Sequence, residues 1–262
     1  MTEIFLKAGF VLYAAAAFFI AIPPGVLKRG SEKLTQALLS SGFAFHTCAI
    51  AFRWHAAGRP PFASMYESLV LFSWAIIAVY FAFTFLYRAS ILRVPGLILA
   101  LCLMTAALFG DSAVKPLVPA LQSRWIGIHV ITYFIGYGAL SLAFMLGVLY
   151  IVSKRRAAGT EQLRSLDVLM YRLVIFGFPF LTVGMTTGSA WADAAWGTYW
   201  GWDPKETCSL ITWLVYIVYL HMRILCGWKD TRAAWLCIFG FLATLFTFIG
   251  VNFILPGLHS YQ

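Results

Sequence analysis

Long apolar runs, broken at intervals by short polar or turn-forming segments, set the reading of this chain. Eight such runs lie near residues 4–22, 34–54, 68–87, 94–110, 126–152, 168–188, 207–226 and 232–254. The breaks are Pro23-Pro24-Gly25 with Lys28 and Arg29, Pro60-Pro61, Arg88 to Arg93, Pro116 to Pro119, Lys154-Arg155-Arg156, a tryptophan-rich segment, and Gly227 to Arg232. A helix needs about 20 apolar residues to cross the hydrocarbon core of a bilayer. The pattern therefore predicts an all-α, polytopic membrane protein with about eight transmembrane helices, folded as a single integral membrane domain over residues 1–262. The first run lacks a basic leader followed by a small-residue cleavage site, so it is expected to stay as a helix and not to be a signal peptide.

Composition agrees with the pattern. Hydrophobic residues make up 61% of the chain and charged residues 11%, with a mean hydropathy of +0.83. A soluble domain carries about 25% charged residues. Charge adds an orientation. The loops after the first, third, fifth and seventh runs hold 13 of the 19 Lys and Arg, among them Lys28, Arg29, Arg88, Arg93, Lys154, Arg155, Arg156 and Arg232. By the positive-inside rule these loops face the cytoplasm, which places both termini and the tryptophan-rich segment outside. The net charge of +9 is thus a topology signal, and no nucleic-acid partner is expected.

The interruption between the sixth and seventh runs is unlike the others. In WADAAWGTYWGWDPKE, Trp191 to Glu206, four of the ten tryptophans stand among Gly197, Thr198 and Gly201, ahead of an Asp203-Pro204-Lys205-Glu206 turn. Indole is flat, large and amphipathic, suited to a membrane boundary or to the face of a planar ligand. Scattered rings would make an interfacial belt, whereas this grouping suggests a platform in an extracytoplasmic loop, about residues 188–207. Asp203 and Glu206 either orient that site or start the next helix, as an acidic cap followed by Pro does.

The histidines are the candidate chemistry. His46 and His221 fall within runs, and His129 and His259 on either side of the tryptophan segment at the outer surface; His55 is also outside and has no assigned role. An ionisable residue inside a bilayer is costly and is a functional candidate by default, and imidazole ligates iron through either ring nitrogen. Blander readings exist for each: His46 as interhelical glue, His221 as an interfacial residue, His259 as a frayed tail. An inner and an outer pair around a tryptophan platform is what an iron porphyrin needs, with indoles against the ring, two axial imidazoles and cations for the propionates. Arg53, Arg59, Arg124 and Lys205 lie on the outer side for that last purpose. Trp125, His129 and Tyr133 share one helix face. The five cysteines include no C-x-x-C pair, and Gly-rich phosphate loops, H-E-x-x-H and G-x-S-x-G are missing, so dithiol, nucleotide, zinc-protease and hydrolase chemistries lack support.

The run WGTYWGWDPKETCSLITWLVYIVYLHMR resembles the WWD signature of haem-handling proteins, specifically the CcsA/ResC-type cytochrome c biogenesis family of system II. PPFASMYESLVLFSW at 60–74, WIGIHVITYFIGYGAL at 125–140 and VNFILPGLHSY at 251–261 are similar to it as well, so the resemblance runs from about His46 to the C-terminus. It implies that His129 and His259 ligate haem at the outer surface. It implies that His46 and His221 hold haem in transit, although the spans set them about 10 Å apart along the membrane normal at about 1.5 Å per residue. Trp191, Trp196, Trp200, Trp202 and Asp203 complete the implied haem-binding set, with haem b as a substrate in transit.

The implied activity is that of a holocytochrome c synthase subunit. It would form thioether bonds between haem vinyl groups and the thiols of a C-x-x-C-H motif in apocytochrome c, beside a second membrane subunit of the CcsB/ResB type. The location implied is a bacterial inner or plasma membrane, or a thylakoid, with the chain embedded in membrane lipid. Two other classes stay open at this level: a haem exporter or chaperone without attachment activity, and a membrane di-haem electron-transfer protein.

Overall fold

A computed structural model describes residues 1–22, 31–114 and 116–254, and among these every regular element is helical. The helices are α1 (Thr2–Ala21), α2 (Ser31–Ala57), α3 (Met65–Tyr87), α4 (Arg93–Leu108), α5 (Arg124–Arg155), α6 (Thr160–Trp196), α7 (Pro204–Ile224) and α8 (Asp230–Leu245). Short 3-10 turns at Ser90–Leu92 and Pro119–Leu121 lead into α4 and towards α5. After α8 the chain widens into a π-helical turn, Phe246–Gly250, and ends its described part in α9 (Val251–Ile254).

Among the described residues, seven helical segments are long and apolar enough to cross a membrane, so the chain is an integral membrane protein. The remaining predicted run, 34–54, is helical too, as α2, but Gln36, Ser40, Ser41, His46 and Thr47 make it more polar than the rest. Hydropathy found the cores of these helices and missed their ends. The run read at 168–188 belongs to a helix of 37 residues, about 55 Å long at about 1.5 Å per residue against a hydrocarbon core of about 30 Å. Nothing in Ser189–Trp196 stops a helix. α6 ends only where Gly197 adopts φ 77° and its N–H bonds to the Asp193 carbonyl at 2.8 Å, the left-handed cap that glycine takes without strain.

The chain divides into two compact units, Met1–Pro116 and Leu117–Gln262. In the first, α1 packs on α2 and α4, and α3 packs on the same two. The α1–α2 contact closes at two glycines: a Cβ on Gly9 would lie 3.2 Å from the Gly42 carbonyl, and one on Gly42 would meet the Tyr13 ring at 2.8 Å. Small residues let backbones approach where apolar burial gives helices in lipid no drive to associate.

In the second unit α5 and α6 form the main pair, antiparallel, with α8 against α5 and α7 against α8. Glycines again set the crossings, Gly136 against Gly177 and Gly147 against Ala234. At the end away from the Trp191–Trp202 segment, the buried Arg223 of α7 pairs with the buried Asp167 of α6, which also accepts the Asp230 N–H at 3.1 Å where α8 begins. Tyr150 of α5 donates to Asp230 at 3.1 Å, so one polar knot ties four helices.

Candidate functional site

The antiparallel register of α5 and α6 puts the start of one beside the end of the other. Ser123 caps α5, accepting from the Trp125 N–H at 3.3 Å, and His129 follows one turn later, half-buried. Its Nδ1 lies 2.8 Å from the Gly184 carbonyl of α6. A carbonyl only accepts, so Nδ1 carries the proton and Nε2 carries the lone pair. The ring stands edge-on to Tyr133, centroids 4.8 Å apart, and 5.8 Å from the indole of Trp191.

Trp191 is 5% exposed and therefore a buried wedge, not a surface ring. Its Nε1 donates to the Ala120 carbonyl at 2.7 Å, pinning the turn that leads into α5, and its ring meets Trp196 at 5.0 Å. The segment read as one loop is thus divided. Trp191 and Trp196 stand on the last turns of α6, and only residues 197–203 connect to α7. In that connection Trp200 is half-buried and Trp202 is 69% exposed, their rings perpendicular at 5.8 Å. Trp202 sits at φ 55°, a left-handed backbone that costs a bulky residue strain of order 1–3 kcal/mol.

Asp203 has a definite structural part. Its carboxylate accepts the Lys205 N–H at 2.9 Å, and Glu206 accepts the N–H groups of Gly201 at 2.8 Å and Asp203 at 3.2 Å. This capping box, with Pro204 in the first turn, starts α7 and fixes how the short connection leaves α6. Of the two roles open to Asp203 and Glu206 in the sequence, the structure displays the helix start.

The other histidines divide between the units. His46, on α2 of the first unit, is fully buried; its Nε2 donates to the Val70 carbonyl of α3 at 3.1 Å. Among the described residues its Nδ1 is buried without a hydrogen-bond partner, and so is the hydroxyl of Tyr13, whose ring stands edge-on at 6.1 Å. Pure interhelical glue would leave no such orphan: an unsatisfied buried acceptor costs about 1–3 kcal/mol. That lone pair fits a metal-bearing ligand. His221 lies in the second unit, exposed on the last turn of α7, and His55 is exposed at the end of α2. His259 falls outside the described residues.

Sequence reasoning missed a charged cluster in the first unit. Glu67, 1% exposed, accepts from Arg53 Nε at 2.9 Å, from Arg59 Nη1 at 2.9 Å and from the Ala63 N–H at 2.8 Å. Arg53 also donates to the carbonyls of Ser112 and, at 3.0 Å, Ala113. Both guanidiniums, read from the sequence as cations for propionates, are therefore joined to one carboxylate that holds the entry to α3 against the chain after α4. The spacing of Arg53, Arg59 and Glu67 over 14 positions of helix and loop carried no signal of this.

The cytochrome C assembly protein family matches residues 62–259. A cytochrome c biogenesis protein CcsA of Trieres chinensis is 35% identical over 302 aligned residues, covering 98% of this chain and 95% of that protein. The CcsA of Gloeobacter violaceus is 33% identical, covering 98% and 92%. The CcsA of Chlamydomonas reinhardtii is 38% identical over 221 residues, 80% of this chain but 63% of the algal protein, so the chain spans less than two thirds of that relative. Among solved structures, a cytochrome c haem lyase, CcmF, shares the fold with a TM-score of 0.73 at 18% identity, over 95% of this chain and 46% of that one.

Proposed function

This chain belongs to the cytochrome C assembly protein family, as a CcsA-type cytochrome c biogenesis protein, and from that premise we propose that it carries haem b through the membrane and presents it for covalent attachment to apocytochrome c. The observation that carries this reading is His129. Its protonated Nδ1 is held by a helix carbonyl, which leaves Nε2 as the basic nitrogen, and it stands between Tyr133 and Trp191, with Trp196 against Trp191 in turn. A backbone acceptor that fixes tautomer and ring orientation is the usual support of a metal-binding imidazole.

In this proposal His129 and His259 are the axial ligands at the outer end, and Trp196, Trp200 and Trp202 face the porphyrin while Trp191 wedges His129 in place. His46, through Nδ1, and His221 hold haem on its way there. Each thiol of the C-x-x-C-H motif adds across a haem vinyl group: the S–H bond breaks, a C–S bond forms, and the hydrogen ends on the other vinyl carbon, with no net oxidation. The protein supplies proximity and an open vinyl edge. The chain acts as a holocytochrome c synthase subunit beside a CcsB/ResB-type membrane protein. Both termini and the Trp200–Trp202 connection face the extracytoplasmic side, and the Lys154–Arg156 end faces the cytoplasm.

The test uses the chain purified with its membrane partner. His129→Ala and His259→Ala are expected to lose bound haem and to abolish cytochrome c maturation, with external imidazole restoring part of both. His46→Ala and His221→Ala are expected to deplete haem at the outer site while leaving its residues intact. Normal maturation in both outer-site variants would end the proposal, and attachment to a C-x-x-C-H peptide in the purified system separates a synthase from an exporter.

A further inference from the structure

Two glycines one turn apart on α6, Gly184 and Gly188, form a notch into which two rings of α5 fit. A Cβ on Gly184 would lie 2.6 Å from the Tyr133 ring, and one on Gly188 would lie 2.5 Å from Nδ1 of His129 and 2.7 Å from its Cε1. Ordinary contact begins at 3.4 Å, so a single methyl at Gly188 would have to displace the imidazole by about 0.9 Å. The helices are closely packed on either side of this level. Seven residues earlier on α6, a Cβ on Gly177 would already meet the Gly136 carbonyl at 3.1 Å, and Gly136 lies seven residues after His129 on α5. The Gly184 carbonyl meanwhile takes the Nδ1 proton of His129 at 2.8 Å and a hydrogen bond from the Thr187 hydroxyl at 3.2 Å. One element therefore sets three properties of the imidazole: its depth, its tilt and its tautomer.

We propose that the Gly184–Gly188 notch is the positioning element of the outer haem site, with Gly188 admitting the His129 ring and the Gly184 carbonyl fixing Nε2 as the iron-binding nitrogen. The inference rests on the reading that His129 is an axial ligand. Gly184 and Gly188 touch no haem themselves and are positioning residues. A stripe of small residues for helix packing alone would present its openings to whichever side chain lay opposite; here the opening at Gly188 is matched to a ring nitrogen that is hydrogen-bonded within the same notch.

The test is a cycle of Gly188→Ala and His129→Gly in the full chain with its partner, read as haem per purified protein and as the Soret band with and without external imidazole. Gly188→Ala is expected to lower occupancy of the outer site, the part of the Soret band that His129→Gly removes, by about tenfold, the scale at which groups supporting a metal ligand act, with imidazole restoring it. In the double variant the clash is absent, so adding Gly188→Ala to His129→Gly is expected to change nothing further, with or without imidazole. Should Gly188→Ala fail to accumulate, the double variant is expected to recover wild-type levels because the offending ring is gone. Wild-type occupancy and Soret band in Gly188→Ala, an additive loss in the double variant, or failure of the double variant to accumulate would each overturn the proposal. A wild-type Soret band and haem content in His129→Gly alone, without imidazole, would instead overturn the underlying assignment of the ligand.

Discussion

Replacing Glu67 by Gln tests the charged cluster of the first unit with a change of almost no volume. The carboxylate accepts from two guanidiniums and one backbone N–H within 2.9 Å, and the side chains of Arg53 and Arg59 are each only 8% exposed. In Gln one acceptor becomes an NH2 group whose hydrogens face guanidinium hydrogens, and the two cations lose their counter-charge. Leaving a buried charge without its partner costs about 3–5 kcal/mol. The lower end applies here, because Arg53 keeps its bonds to the Ser112 and Ala113 carbonyls. A loss of about 3 kcal/mol corresponds to a fall of about 6–12 °C in unfolding midpoint for a chain of this size. Thermal unfolding of the purified protein in detergent, followed by tryptophan fluorescence, reads it. Adding Arg53→Met to Glu67→Gln removes one unpaired cation and should return part of the loss, a coupling that independent sites would not show. Haem per folded protein should stay at the wild-type ratio, because this cluster braces the fold. A midpoint shift under about 3 °C would refute the energetic argument. A rise in haem retention would mean that Arg53 and Arg59, once released, bind propionates, contrary to the bracing role.

Three further expectations concern the second unit. Asp203→Ala removes the oxygen that accepts the Lys205 N–H and should destabilise the protein by about 1 kcal/mol; an unchanged midpoint would show that Glu206 alone suffices. Trp→Phe at Trp196, Trp200 and Trp202 should keep part of the bound haem and Trp→Leu should lose more, since stacking between flat rings contributes about 0.5–1.5 kcal/mol beyond burial; equal haem-to-protein ratios across wild type, Phe and Leu would defeat the stacking role. A reporter fused at Arg156 should be active only in the cytoplasm, and periplasmic activity there would reverse the proposed orientation.

The architecture was legible in the chain because its cause is local. A bilayer-spanning helix must be apolar along its own length, so a count of apolar residues finds it without knowledge of neighbours, and α1 and α3 to α8 follow those runs. The Asp203-Pro204 start of α7 was legible for the same reason, since a cap and its recipient N–H groups are within a few residues of each other. The boundaries of α6 were less so: hydropathy falls at Gly188-Ser189, but backbone hydrogen bonding continues until a residue takes φ above zero, at Gly197. What only the tertiary structure decided are relations between distant positions. That Nδ1 of His129 is the protonated nitrogen depends on a carbonyl 55 residues away. That Gly188 is a socket, and not a weak point in a helix, depends on which α5 ring lies opposite. Glu67 reads as one polar residue at the start of an apolar run until Arg53 and Arg59 are seen to converge on it. Hydrophobicity is a property of a segment and can be summed along it, whereas a ligand's tautomer, a ring's seat and a buried charge's partner are set by the register in which two segments meet.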